Sequence, residues 1–278
     1  MIPSRLKIAY AFSGIVALLA FVAAGGGIFL HGLYRDNEFV KAAWYGNDLV
    51  TLFVIAPMLL GALWLAWRGS ARALLVWMGL LVCVSYNYAF YLFGAAFNAF
   101  FLAYLALFAL PLYAIALAIF EIDPDDIGSN FGPRTPVKWI SVFLMVIAIP
   151  LAIVEIGQIG TFLFSGVLPQ TIVDTGHPTG VVYALDLSFV IPCLLLAAVL
   201  LWQRRPWGYM LGAMMLTKGF TYGLVLIMSA AYIAGFSLQG KWDPLTPFYA
   251  FIAVGSFIGG LALLWRGREG ESEGGGEH

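Results

Sequence analysis

Eight runs of about 20 apolar residues, separated by short polar breaks, dominate this sequence. A helix needs about 20 predominantly apolar residues to cross the hydrocarbon core of a bilayer. Of the 278 residues, 62% are hydrophobic and 10% are charged, whereas soluble domains average about 25% charged residues. We therefore predict an all-α polytopic transmembrane bundle, with residues 1–265 forming one domain. The predicted spans are residues 8–31, 49–67, 73–95, 98–120, 138–164, 184–202, 208–234 and 247–265.

The lysines and arginines fall mainly on alternate breaks. With eight spans and a cytoplasmic N-terminus, ten cations lie on the cytoplasmic side and three on the other. Cytoplasmic loops are enriched in Lys and Arg, so we predict that both termini are cytoplasmic and that the protein resides in the inner (plasma) membrane. Residues 266–278, rich in Gly and Glu, are predicted to be a disordered cytoplasmic tail. The cytoplasmic cations are Arg5, Lys7, Arg68, Arg72, Arg134, Lys138, Arg204, Arg205, Arg266 and Arg268, and the others are Arg35, Lys41 and Lys241.

Two boundaries allow a second interpretation. Only residues 94–98 separate spans three and four, but one continuous helix there would invert every later loop and remove the charge bias. The first span follows Arg5 and Lys7 and contains small residues at Ala23 and Ala24, a pattern that a cleaved signal peptide also has. Its apolar run is long for such a signal, so we expect the span to be retained. Cleavage would leave seven spans in the same orientation.

A lysine lies deep inside span seven. Lys218 follows Arg205 by about 20 Å along a helix, which places it near the bilayer midplane. An ionisable residue at that depth is costly and by default indicates a functional site. We predict that Lys218 binds a substrate or counter-ion and that its ammonium pairs with a carboxylate. The alternative is a buried ion pair that only holds helices together.

Two carboxylates in neighbouring spans are the candidate partners of this lysine. Glu155 lies in the outward-running fifth span and Asp186 in the inward-running sixth. At 1.5 Å per residue both reach a similar depth near the outer boundary of the hydrocarbon. Gln158 follows Glu155 by three residues, so the two share a helix face. We predict that all three line a binding site, although Asp186 could equally be a helix-start residue stabilised by the N-terminal dipole.

The segment between spans five and six is polar but retains several Val, Ile and Leu residues. We expect it to fold back as a cap over the outer mouth of the bundle. Asp174 and His177 in this segment are candidate binding residues. One Asp and one His three residues apart are a weak metal signal, because catalytic zinc usually has three protein ligands. We therefore predict neither a metal nor a cofactor.

An aromatic string in spans three and four is the most distinctive local sequence. Asn87 and Asn98 bracket it, and it forms either an interfacial aromatic belt or an aromatic-lined pocket that the amides anchor. The string from Tyr86 to Asn98, with Phe100-Phe101-Leu102 after it, resembles a group of bacterial polytopic membrane proteins described as hypothetical. The resemblance covers mainly these two spans. It implies a membrane location and no particular activity.

These features together favour a transporter or permease with an outward-facing polar cavity floored by Lys218. Intramembrane charge and prolines within spans support it, whereas no convincing inverted repeat between the halves is visible. The sequence contains no GxxxxGK[ST] nucleotide-binding loop, so transport is expected to be passive or ion-coupled. The prolines within spans are Pro57, Pro111, Pro150 and Pro192.

Three other functions stay open. A membrane-embedded enzyme would use Glu155, Asp174, His177 and Asp186 as acids and bases on a lipid-type substrate. A ligand sensor or accessory subunit would need a partner, and a retinal-type Schiff base at Lys218 is a further alternative. The expected partners are the lipid bilayer, a small ionic or lipid-like ligand, and another copy or subunit. A formal net charge of −1 gives no indication of nucleic-acid binding.

Overall fold

A computed structural model describes residues 4–236 and 242–265, and across these residues every regular element is helical. Two of the elements are short π-helical turns, named π1 and π2, which continue directly into α-helices. The elements in chain order are α1 (Ser4–Phe29), α2 (Glu38–Val50), π1 (Thr51–Ile55), α3 (Ala56–Trp67), α4 (Ala71–Phe93), α5 (Phe101–Ile119), α6 (Pro124–Gly128), α7 (Val137–Ser165), α8 (Gln170–Thr175), α9 (Val181–Leu185), π2 (Asp186–Val190), α10 (Ile191–Trp202), α11 (Pro206–Phe236) and α12 (Thr246–Leu264).

Eight of these helices or continuous runs are long and apolar enough to cross a bilayer. The chain is therefore a multi-pass integral membrane protein with an all-α bundle, as predicted. The spans are α1, α2–π1–α3, α4, α5, α7, α9–π2–α10, α11 and α12. We call the end of the bundle where α1 begins the basic end, and the opposite end, which carries the segment 166–180, the loop end. The assignment of the basic end to the cytoplasm stays a prediction, and Lys241 and the predicted tail 266–278 lie outside the described residues.

Span two begins earlier than expected, at Glu38 rather than near residue 49. The side chain of Asn37 caps this helix by accepting a hydrogen bond from the amide of Val40 at 2.9 Å, as a good N-cap residue does. Glu38 lies in the first turn, where a negative charge is stabilising, and it pairs with Lys41 at 2.5 Å. Glu38 and Lys41, which the sequence analysis placed before the span, therefore belong to its first helical turns.

Helix α11 is at the centre of the bundle and packs against α2, α4, α10 and α12. Close approach of backbones makes this possible. A Cβ atom on Gly46 of α2 would lie 2.4 Å from the amide nitrogen of Ser229 in α11. A Cβ atom on Gly219 would lie 2.4 Å from the Oγ of Ser256 in α12. Small residues at such contacts are typical of membrane helices, whose association depends on close packing.

The order of elements repeats along the chain with an offset of 135 residues. This offset relates Thr51, where π1 begins, to Asp186, where π2 begins, and it relates Trp67 to Trp202 at the ends of α3 and α10. Each half contains four spans, so the two halves run in the same direction through the membrane. The buried apolar residues also form two clusters, one largely from spans one to four and the other largely from spans five to eight. The repeat is thus direct, and the sequence search for an inverted one did not reveal it.

Both π-helical turns lie just before a proline, Pro57 in α3 and Pro192 in α10. Proline lacks the amide hydrogen of the α-helical ladder and its ring crowds the preceding turn, and π-helical turns often occur at functional sites. The helix continues through each of these prolines, and it is widened in the turn that precedes the proline. The consequence for the site is that Asp186, the first residue of π2, lies at the start of the widened turn.

Candidate functional site

A cavity of about 400 Å³ lies within the second half of the chain, between α7, π2, α10, α11 and α12. Its wall is mostly apolar, with residues such as Leu151 and Ile252. Four of the predicted site residues line it, which are Glu155, Gln158, Asp186 and Lys218. We call it the Lys218 cavity. Ligand sites of this size and composition are typical for small molecules.

Lys218 has an aromatic environment. Its Nζ lies 3.7 Å from the centroid of the Tyr86 ring and 4.4 Å from that of Tyr222. The residue is only 4% exposed, and such contacts with ring faces stabilise a desolvated cation. Within residues 4–236 and 242–265 no carboxylate forms an ion pair with this ammonium. The predicted direct pairing of Lys218 with a carboxylate is therefore replaced by contacts with two tyrosine rings.

Tyr86 connects the lysine to the acidic side of the cavity. While its ring contacts Lys218, its hydroxyl donates a hydrogen bond to Oδ1 of Asp186 at 2.6 Å. Tyr86 belongs to α4 in the first half, whereas the ionisable groups Glu155, Asp186 and Lys218 of the cavity come from the second half. One residue of the first half thus joins the opposite charges of the second.

The 135-residue repeat relates the contact between Lys218 and Tyr86 to a contact between Cys83 and Thr221. Cys83 corresponds to Lys218 and Tyr86 corresponds to Thr221 under the same offset. Thr221 Oγ1 contacts Cys83 Sγ at 3.1 Å across the α4–α11 interface, which mirrors the Lys218–Tyr86 contact. The first half therefore carries small neutral groups at the place where the second half carries charge, and the site is asymmetric.

Glu155 and Asp186 are neighbours in the cavity wall. They are 3% and 7% exposed, they line the same cavity, and their carboxyl groups are close enough to act on each other electrostatically. Two neighbouring carboxylates repel each other in a desolvated site, which favours a proton on one of them. One oxygen of Glu155, Oε2, is buried and has no hydrogen-bond partner among the described residues. The pair can therefore hold one proton.

Gln158 and Tyr183 form the polar part of the wall toward the loop end. The Tyr183 hydroxyl donates to Oε1 of Gln158 at 2.5 Å, and both residues line the Lys218 cavity. Gln158 thus shares the site with Glu155, as their spacing predicted. Its side chain is exposed, so this bond lies where the cavity meets the surroundings of the bundle.

A second cavity, of about 240 Å³, lies at the loop end between α2, α4, α11 and the segment 166–180. We call it the loop-end cavity. Asn87 and His177 line it, and Tyr183 and Tyr222 line both cavities. The two spaces therefore adjoin, with these two tyrosines between them. The segment that was expected to cap the outer mouth forms part of this wall.

His177 lies partly buried in the loop-end wall. Burial lowers the pKa of its imidazole, although nearby Asp36 opposes this effect. Its Nε2 is buried and has no hydrogen-bond partner among the described residues. Asn87 in the same cavity donates to Oδ1 of Asn47 at 3.0 Å. These two predicted site residues are thus near the Lys218 cavity but outside it.

Asp174 is not brought to either cavity. Its carboxylate accepts a hydrogen bond from Gln170 at 2.6 Å within α8, and its backbone oxygen accepts one from Asn37 at 3.0 Å. These contacts attach the 166–180 segment to the start of α2. Asp174, a candidate binding residue in the sequence, is thus outside the cavities that contain His177 and Glu155.

The sequence analysis missed the tyrosines of the site. Tyr222 follows Lys218 by four residues on one helix, so this spacing places them on a common face and was an available signal. Tyr86 belongs to the string noted for its asparagines, yet its contact with α11 comes from tertiary packing. Comparisons of the chain with family models, curated proteins and solved structures gave no match.

Proposed function

We propose that this chain is a carrier for a small organic anion with an apolar body, which binds in the Lys218 cavity. The observation that carries this proposal is a buried ammonium that has no ion-pair contact with any carboxylate of the described residues and faces a largely apolar space of about 400 Å³. A protonated lysine has three hydrogen-bond donors. Aromatic faces stabilise its charge but accept hydrogen bonds weakly, so an acidic ligand group would complete its coordination.

The carboxyl pair supports coupling of this anion to a proton. An anion bound beside Lys218 places negative charge near Glu155 and Asp186 and so favours the protonated state of the pair. Binding an anion together with a proton leaves the total charge of the buried site unchanged, which avoids the cost of an added charge in a medium of low dielectric constant. We therefore infer symport of the anion with a proton.

The architecture supports a carrier more than an enzyme. Transporter folds are often built from internal repeats, with a binding site near the midplane beside an interrupted helix. Here the repeat is direct, Lys218 lies near the middle of α11, and Asp186 begins the π-helical turn of span six. Motion of one half against the other would open the same site to either side of the membrane.

Binding is tested with purified full-length protein in detergent, using benzenesulfonate as the anionic probe. Benzenesulfonamide is its neutral match and benzylammonium the cationic one. We expect benzenesulfonate to raise the thermal unfolding temperature and Lys218→Met to weaken its binding at least about tenfold, the loss of one charge-assisted contact. Lys138→Met, which removes an exposed lysine at the start of α7, is the control. Equal binding by Lys218→Met, or preference for benzylammonium, would overturn the proposal.

Transport is tested in proteoliposomes that contain a pH indicator. The sulfonate stays ionised and crosses lipid slowly, so an inward benzenesulfonate gradient should acidify the lumen only if the protein carries anion and proton together. Glu155→Gln should reduce the acidification while retaining probe binding. Binding without any flux would contradict the carrier and favour a ligand sensor.

A further inference from the structure

A second buried acid lies in the first half of the chain. Asp48 in α2 is 1% exposed, and it does not line the Lys218 cavity. The hydroxyl of Tyr34 donates to its Oδ2, and the hydroxyl of Tyr91 donates to its Oδ1 at 2.9 Å. Tyr88 and Tyr104 complete the surrounding rings, with centroids 5.2 Å and 5.1 Å from that of Tyr91. We call these five residues the Asp48 cluster.

The charge of Asp48 has no cationic partner in the described part of the chain. Ion pairs in that part of the chain join Arg5 to Glu121 and Lys41 to Glu38. Burying an ionised carboxylate without a counter-charge is strongly unfavourable. Two phenol hydroxyls reduce that cost without cancelling the charge. A cation or a proton must therefore be available to this group.

Two tyrosine hydroxyls in the cluster are unused. Tyr88 and Tyr104 are each only 1% exposed. Oη of Tyr88 and Oη of Tyr104 are buried and lack a hydrogen-bond partner among the described residues. Tyr104 and Tyr34 both pack against Tyr91, with ring centroids 5.1 Å and 6.1 Å from that of Tyr91. The unpartnered oxygen of Tyr104 can therefore accept the Tyr34 hydrogen after a small movement of the two side chains, whenever that hydrogen leaves Asp48. The cluster thus offers two complete hydrogen-bond arrangements.

We propose that Asp48 is a proton-binding site whose occupancy is exchanged through rotation of the Tyr34 hydroxyl. In the ionised state Tyr34 and Tyr91 both donate to Asp48. When a proton binds to Oδ2, that oxygen donates to Tyr34, and the Tyr34 hydroxyl hydrogen turns to Tyr104. Tyr91 continues to donate to Oδ1, so no hydrogen bond is lost. The one proton gained neutralises the one buried charge.

The groups around Asp48 are acids, phenols and amides. The loop before α2 contributes Tyr34 and also Asp36, which acts electrostatically on Tyr104 and bonds Trp44 and the amide of Ala96. The other elements packed against Asp48 contribute Tyr88 and Tyr91 of α4, Tyr104 of α5 and Gly27 of α1. Ser229 of α11 and Asp174 of α8 bind elsewhere, to the backbone oxygen of Ala43 and to the side chain of Asn37. With Asp36 as a further negative charge nearby, the surroundings favour uptake of a proton rather than of an anion.

The cluster adjoins the loop-end cavity. Asn47 and Asn87 line that cavity, and Asn47 donates to the Tyr91 hydroxyl at 2.8 Å. A single residue therefore separates Tyr91 from the space at the loop end. This position gives the proton a short route to that end without passing Lys218. The inference does not depend on the proposed anion carrier, because it concerns other residues and is measured without transport.

Infrared difference spectroscopy of the full chain in lipid nanodiscs tests the proposal. Acidification should produce a protonated-carboxyl band that is absent in Asp48→Asn and retained in Asp186→Asn and Glu155→Gln. Tyr104→Phe removes the alternative acceptor and should lower the proton affinity of Asp48 several-fold to about tenfold, as expected for one hydrogen bond. Tyr113→Phe, at a 60% exposed position on α5, is the matched control and should leave the titration unchanged.

Three results would overturn the proposal. The first is a wild-type carboxyl band that persists at full amplitude in Asp48→Asn, and the second is the absence of any carboxyl band on acidification. The third is competition by Na⁺ with proton uptake at Asp48, which would make the site one for an alkali cation. If Asp48→Asn fails to fold, the titrations of the carboxyl band in Tyr104→Phe and Tyr113→Phe are compared instead. Identical titration midpoints in these two variants would then overturn the proposal.

Discussion

Nζ of Lys218 lies 3.7 Å from the centroid of the Tyr86 ring, so a residue of the first half of the chain covers the central charge of the second half. The same tyrosine binds Asp186 through its hydroxyl. Lysine and aspartate are thereby held apart although they share a cavity. A direct ion pair would neutralise both groups, whereas this arrangement leaves the ammonium available to a ligand.

The two functions of Tyr86 can be separated by mutation. Tyr86→Phe retains the ring beside Lys218 but leaves Asp186 without its 2.6 Å hydrogen bond. We expect a loss of about 1.5–3 kcal/mol in unfolding free energy, the usual value for a hydrogen bond to a charged group. Thermal or denaturant unfolding in detergent measures it. Tyr113→Phe on the exposed face of α5 should cost almost nothing, and an equal cost for the two variants would refute this assignment.

Packing between α2 and α11 predicts sensitivity at Gly46. An alanine Cβ there would lie 2.4 Å from the backbone nitrogen of Ser229, and backbone atoms cannot turn aside as a flexible side chain can. Gly46→Ala should destabilise the protein by about 1–3 kcal/mol, as overpacking does. Gly61→Ala is the control, because no atom lies within 4 Å of its Cβ position. Gly61→Ala should be neutral or stabilising by up to about 1 kcal/mol. The unfolding midpoints of the two variants, each compared with that of the wild type, measure this difference.

Acidification should loosen the loop end through His177. Burial lowers the pKa of this imidazole below its ordinary value, so the unfolded segment binds a proton more readily than the folded one. Stability is then complete above the ordinary histidine pKa of about 6.5 and falls as the pH decreases from there to the lowered folded-state pKa. Hydrogen exchange of residues 166–180 should accelerate over that range in the wild type. His177→Gln should flatten this dependence, and an unchanged pH profile would exclude His177 as its source.

Asn37 connects the segment 166–180 to the start of span two through hydrogen bonds. Its side chain caps α2 through the amide of Val40 and donates to the backbone oxygens of Asp174 and Thr175, each at 3.0 Å. Asn37→Ala should cost about 1 kcal/mol for the cap alone and should also release α8 from the bundle. Asn37→Asp retains the capping oxygen but loses the two donated bonds. Limited proteolysis should therefore cut the 166–180 segment faster in both variants, while only Asn37→Ala loses the stability of the cap.

The sequence predicts the spans well because the bilayer imposes a length and an apolar composition on each of them. It also indicates Lys218, Glu155 and Asp186, since a charge at depth stands out against an apolar background. The tyrosine partners were not predicted. Helix α4 is buried around most of its circumference, so its sequence has no polar face that would identify the side on which Tyr86 lies. The repeat escaped notice because corresponding residues such as Cys83 and Lys218 differ chemically.

The widened turn π2 also fixes the rotational phase of the helix that contains it. A π-helical turn holds one more residue than an α-helical turn, and one residue corresponds to about 100° around a helix axis. Deleting a single residue between Asp186 and Pro192 would restore α-helical winding and rotate Asp186 by that angle relative to α10. The carboxylate would then leave both Tyr86 and Glu155, although every residue of the site would still be present.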